Sequence, residues 1–186
     1  SVTTTAGETI QADFVGIRAE IYGAGTGDVT INNAAAVGSL PGAPNTLDYG
    51  IDAATGGTGN VVLNNTGTVG SATDRMQVFA LYGFAPSSGA TSTLTVTNGA
   101  GGVWGNTGIY TTAGAGATTI TTGTGVVNGV NFGINADTGT GNVTVTTGSG
   151  AVTASDAAGV GIDVSGTTGT TAIATGGTVT GGANGV

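Results

Sequence analysis

The side chains able to do acid–base or covalent chemistry are few in this chain and nearly all of one kind. Ten carboxylates (Glu8, Asp13, Glu20, Asp28, Asp48, Asp52, Asp74, Asp137, Asp156 and Asp163) accompany two arginines, Arg18 and Arg75, with no Lys, His or Cys. Nucleophilic catalysis built on His, Cys or a Ser-Lys pair is therefore excluded. What remains is carboxylate chemistry, as in polysaccharide cleavage, which needs two acids about 5–10 Å apart across a substrate bond. The closest candidates are Asp48 with Asp52 and Asp156 with Asp163. Each pair is split by a corner, and neither has a nearby Arg or Lys to hold an acidic sugar. The expectation is a protein that is not an enzyme, with no catalytic residues, no metal site and no cofactor.

The partners are bounded in the same way. A net charge of −8 with two cations disfavours nucleic acid and anionic membranes, both of which need clustered Lys and Arg. No stretch approaches the ~18 apolar residues of a spanning helix, so no membrane insertion is expected. Charged residues make up only 6% and glycine contributes 39 of 186 residues. Low charge with positive mean hydropathy opposes disorder, and three prolines exclude collagen. An all-β protein rich in turns is left. The chain begins "SVTTTAGETI" without Met, which reads as a processed or excised piece.

The elements that would position these side chains come as a repeat. "GINADTGTGNVTVTTGSGAV", Gly133 to Val152, aligns without a gap on "GIYTTAGAGATTITTGTGVV", Gly108 to Val127. The Gly-Ile landmark recurs at Gly16-Ile17, Gly50-Ile51, Gly108-Ile109, Gly133-Ile134 and Gly161-Ile162, at spacings of roughly 24 to 34 residues, with a degenerate copy at Val78 to Gly83. A terminal "NGV", Asn184 to Val186, looks like the start of another copy. A second landmark is an alternating strand whose inward residues are Val29/Ile31, Val61/Leu63, Leu94/Val96, Thr118/Ile120, Val143/Val145 and Thr171/Ile173. A third valine follows at Val37, Val69, Val103, Val127, Val152 and Val179. Three short strands per copy joined by glycine-rich corners describe one coil of a right-handed parallel β-helix of about six to seven coils, pairing coil to coil at about 4.8 Å. Glycine is expected at the corners because it supplies positive φ. Residues 1–186 are expected to form a single β-solenoid segment, a fragment of a longer repeat protein.

The pattern Gly-Ile-x-Ala, a Gly/Thr link, Asn-Val-x-Val and Gly-x-Val, as in "GIDAATGGTGNVVLNNTGTV" and "GINADTGTGNVTVTTGSGAV", resembles the repeats of bacterial autotransporter passengers and large β-helical adhesins. The resemblance runs from about Val15 to Val186. It implies an extracellular scaffold or adhesin stalk at a Gram-negative cell surface, tethered to the outer membrane or secreted. It also implies partners on a host or neighbouring cell, or a glycan, with the same solenoid continuing end to end.

A surface-binding alternative uses ice or glycan as ligand. Its candidate contact surface is a T-x-T array formed by Thr95, Thr97, Thr119, Thr121, Thr144 and Thr146, although Thr is also simply a good strand former. The aromatic region 79–104, with Phe79, Tyr82, Phe84 and Trp104, fits a sugar-stacking patch less well than a wider section of core. "GAGTGDVTI", Gly23 to Ile31, resembles a Ca²⁺-binding nonapeptide, but Asn60 and Asn142 replace Asp28 in other copies. A corner turn with an Asx hydrogen bond explains it better. Coil alignment sets Asp52 and Asp163 at the position of Tyr110 and Asn135, three or more coils apart.

Overall fold

The computed structural model describes residues 1–86, 92–166, 168–182 and 185. These form strands β1 (Val2–Thr3), β2 (Thr9–Ala12), β3 (Val15–Ile21), β4 (Val29–Asn33), β5 (Ala36–Ser39), β6 (Tyr49–Thr55), β7 (Val61–Asn65), β8 (Met76–Ala85), β9 (Leu94–Asn98), β10 (Val103–Ala113), β11 (Thr118–Thr122), β12 (Val127–Thr138), β13 (Val143–Thr147), β14 (Val152–Ala154), β15 (Val160–Gly166), β16 (Thr171–Thr175) and β17 (Val179–Thr180). All described pairings are parallel, and the chain winds as a right-handed β-solenoid of about six turns.

Face I is a sheet in the order β1-β4-β7-β9-β11-β13-β16. Its registers stack Val29 on Val61 on Leu94 on Thr118 on Val143 on Thr171, and Ile31 on Leu63 on Val96 on Ile120 on Val145 on Ile173. Face II carries the third valines, linked through Val37, Val69 and Val103 and continuing through Val127, Val152 and Val179. Face III stacks Ile17, Ile51, Leu81, Ile109, Ile134 and Ile162. These columns meet inside as one continuous core. At the last strand Thr171 is exposed and Ile173 half-buried, because no described strand lies above β16 on face I. The N-terminal residues, which carry no Gly-Ile landmark, supply another partial coil: Val2 pairs with Ile31 and Ile10 with Val37. In the terminal "NGV", Asn184 and Val186 lie outside the described residues. Gly185 accepts a hydrogen bond from Ile162 N–H at 3.0 Å.

The Gly-Ile landmark has a different cause from the one its composition suggests. Among the described glycines, positive φ is confined to Gly7, Gly23, Gly42 and Gly70. At Gly133 the constraint is close approach: an added Cβ would lie 2.5 Å from the Gly161 carbonyl oxygen and 2.7 Å from Val152 Cγ1. Gly108 meets the Gly133 carbonyl and Val127 in the same way, at 2.6 and 2.7 Å. The glycine lets face III turn off face II directly beneath the next coil.

Polar groups are stacked by the same register. Asn33, Asn65 and Asn98 end successive face I strands inside the corner, all buried. Asn33 Nδ2 donates to Asn65 Oδ1 and Asn65 Nδ2 to Asn98 Oδ1, each at 2.7 Å. Each amide also donates to a carbonyl of its own corner, at Ala35, Gly67 and Gly101. Further along, Thr122, Thr147 and Thr175 take this position. Asn65→Ala should therefore cost about 2–4 kcal/mol, because it leaves buried partners on both sides unpaired. Asn64→Ala, on the solvent side of the same strand, should cost under about 1 kcal/mol. Urea unfolding of the two variants measures the difference. Gly133→Ala should lose about 1–3 kcal/mol by the same assay, as overpacking against rigid backbone.

Candidate functional site

The outer surface of face III holds the side chains with most chemical potential. In-register pairing lines up Arg18, Asp52, Tyr82, Tyr110, Asn135 and Asp163 in one outward row. Asp52 and Asp163 thus lie four coils apart. A second row two residues on contains Glu20, Ala54, Phe84, Thr112, Asp137 and Ser165.

The acids brought together are not the expected pairs. Arg18 Nε lies 3.1 Å from Asp52 Oδ2, and Arg18 Nη2 lies 2.8 Å from Glu20 Oε2. The expectation that no cation stands near Asp52 is therefore corrected: strand pairing sets Arg18 directly beside it, one coil away. The Gly-Ile alignment contained this signal, since Arg18 follows Gly16-Ile17 as Asp52 follows Gly50-Ile51. One guanidinium engages the facing oxygen of each carboxylate, so the pair is an ion triad and not two acids flanking an open substrate site.

Asp52 is buried, and its Oδ1 has no hydrogen-bond partner. Burial pushes its carboxyl up to about 6, Arg18 pulls the other way, and Glu20 adds to the rise. Burial likewise raises the Tyr82 hydroxyl, with the charge of Asp52 adding to it. Burial raises Tyr110 too; its hydroxyl donates to Asp137 Oδ2 at 2.8 Å.

Phe79, Tyr82 and Phe84 do not fill the core as expected. They are half-buried on the outside, since inward positions of β8 are taken by Leu81, Gly83 and Ala85. With Phe14, Tyr49 and Tyr110 they form a ladder across coils. Phe79 and Tyr110 stack at 4.4 Å, and Tyr82 and Tyr110 lie 8° from parallel at 5.7 Å. The rings spend their faces on one another. Trp104 also points outward, half-buried on face II, and no ring contact joins it to the ladder among the described residues.

The threonine array is real as geometry. Thr95, Thr119 and Thr144 pair in one row and Thr97, Thr121 and Thr146 in the next, bounded by Val62/Asn64 and Ala172/Ala174. Asp28 serves a corner ladder: its Oδ1 accepts from Asn60 N–H at 2.7 Å and Asn60 Nδ2 at 3.1 Å. Asn60 Oδ1 in turn accepts from Thr93 N–H and Oγ1. No cluster of three or more His, Cys, Asp or Glu suited to a metal occurs among the described residues. No family model, curated protein or solved structure matches the chain.

Burial of Asp52 generates a pH dependence. Folded Asp52 keeps its proton to about pH 6, whereas its ordinary pKa is 3.8. Between these values the folded state binds more protons, so this group's contribution to stability is full below pH 3.8 and is lost as pH rises through about 6. Asp52→Asn should flatten that slope and raise stability at neutral pH by on the order of 2 kcal/mol. Urea unfolding across the pH range tests both.

Proposed function

We propose that this chain is a non-enzymatic scaffold, a rigid solenoid spacer of the kind that autotransporter passengers and large adhesins display outside a Gram-negative cell. The observation that carries the reading is the direction of its polar and aromatic contacts. Asn33–Asn65–Asn98, Asp28–Asn60–Thr93 and Tyr82–Tyr110 each join one coil to the next along the axis. Side chains that elsewhere converge on a ligand here brace a rod. Glu20 and Asp52, in adjacent coils, are committed to one arginine.

The expected outcome is no turnover of pectic or other uronic-acid polymers, with or without Ca²⁺. Release of reducing or unsaturated sugar ends that disappears in Asp52→Asn or Glu20→Gln protein would overturn the reading. Antibody labelling of intact cells producing this protein tests the extracellular placement; signal only after permeabilisation counts against it.

A further inference from the structure

We propose that a cavity at the face II–face III corner, built around Arg75, binds a small hydroxylated carboxylate of the sugar-acid type. This goes beyond the scaffold reading and does not depend on it.

The charge inventory points there first. Of the two arginines, Arg18 is neutralised by Glu20 and Asp52, whereas Arg75 has no carboxylate partner among the described residues. The adjacent acid, Asp74, is turned away and occupied: its Oδ2 accepts Ser39 N–H at 2.9 Å and its Oδ1 accepts Asn45 N–H at 2.8 Å. Burial pushes the Asp74 carboxyl up, but these hydrogen bonds win and hold it below the ordinary range, so it stays a fixed anion satisfied by the loop.

Arg75 is nevertheless held in place. Its Nη1 donates to Asn128 Oδ1 at 2.6 Å, and Asn128 Nδ2 donates onward to Thr153 Oγ1 at 2.5 Å. The Arg75 backbone N–H donates to Asn45 Oδ1 at 2.6 Å. Its Nε and Nη2, the edge that grips a carboxylate with two parallel bonds, have no protein partner among the described residues.

The cavity has a definite structural origin. Between Gly105 and Thr107 the coil of β10 has only Asn106, while β8 below has Gln77 and Val78 and β12 above has Val130 and Asn131. That coil is one residue short on both sides, so the wall recedes there. The insertion between β5 and β6 borders this open depression through Asn45, whose φ of 59° is the one positive non-glycine value among the described residues. Its carbonyl accepts from Gln77 Nε2 at 2.6 Å. The resulting space of about 270 Å³ is lined by Asn45, Arg75, Met76, Gln77, Asn106 and Val130.

These linings select a ligand. The free guanidinium edge takes a carboxylate, the three amides suit hydroxyls, and half-buried Val130 offers an apolar contact for ring carbons. The volume lies just below the ~300 Å³ lower bound for drug-sized ligands, which fits one sugar-sized ring. A net charge of −8 opposes a polyanion chain and favours a monovalent acid.

The test is a ¹⁵N-detected NMR titration of the folded protein with D-glucuronate, D-glucose and acetate. D-glucuronate should shift Asn45, Gln77, Asn106 and the Arg75 Nε–H resonance saturably. Glucose and acetate should each bind about tenfold or more weakly, since each lacks half of the recognised groups. Arg75→Gln should remove binding, and Arg75→Lys should weaken it about tenfold or more by losing the paired donors. Should Arg75→Gln fail to fold, Asn106→Asp places a like charge in the cavity and should also abolish binding. No saturable shift with D-glucuronate at tens of millimolar, about the weakest affinity worth a site, overturns the proposal. So does equal binding of glucose or acetate, or unchanged affinity in the folded variants.

Discussion

Parallel, in-register stacking of one coil on the next, at about 4.8 Å, is the constraint on which everything else rests. Each inward or outward residue faces its own counterpart above and below. Apolar columns follow at once, since Ile51, Leu81, Ile109 and Ile134 are each other's nearest partners. So does the scarcity of charge: a carboxylate repeated in every coil would stack on itself with no water between. The acids that share a row on face III, Asp52 with Asp163 and Glu20 with Asp137, are accordingly separated by uncharged residues of the coils between them. Asparagine is the polar residue suited to such a column, because one amide donates upward while its oxygen accepts from below, as Asn65 does between Asn33 and Asn98.

The same constraint decides where chemistry can gather. On a regular face, neighbours are copies, and copies brace each other, as the aromatic ladder does by stacking ring on ring. Distinct groups meet only where adjacent coils differ in residue or in length. Arg18 beside Asp52 is the first kind of difference and gives a buried carboxyl an ion-pair partner in the neighbouring coil. Asn106, alone against two residues in each neighbour, is the second kind and produces a cavity. A long rod of similar coils can thus carry a local site without disturbing its core, because each coil is supported by its neighbours and not by a distant partner.

The repeat made most of the fold legible in the chain alone. Gly-Ile landmarks and alternating valines set the coil, the inward residues and even the pairing of Thr95 with Thr119 and Thr144, because in-register stacking converts sequence alignment into spatial contact. Asp52 and Asp163 could be placed far apart by the same arithmetic. The first partial coil was hidden because Val2 and Ile10 lack a Gly-Ile marker, and their roles appear only through pairing with Ile31 and Val37.

Periodicity by itself determined which residues face in, since inward positions recur every second residue along a strand and once per coil. It was silent on what outward side chains do to each other. Whether outward-facing Tyr82 stacks on Tyr110, and whether Arg18 reaches both Glu20 and Asp52, depends on rotamers and side-chain reach across coils. Glycine's role was decided the same way: the letter suggests a turn, but only the position of the Gly161 carbonyl shows that a Cβ at Gly133 has no room. The Arg75 cavity is the extreme case. It arises from a one-residue shortage relative to coils on either side, joined to an insertion elsewhere in the chain, and such a coincidence exists only once the coils are stacked.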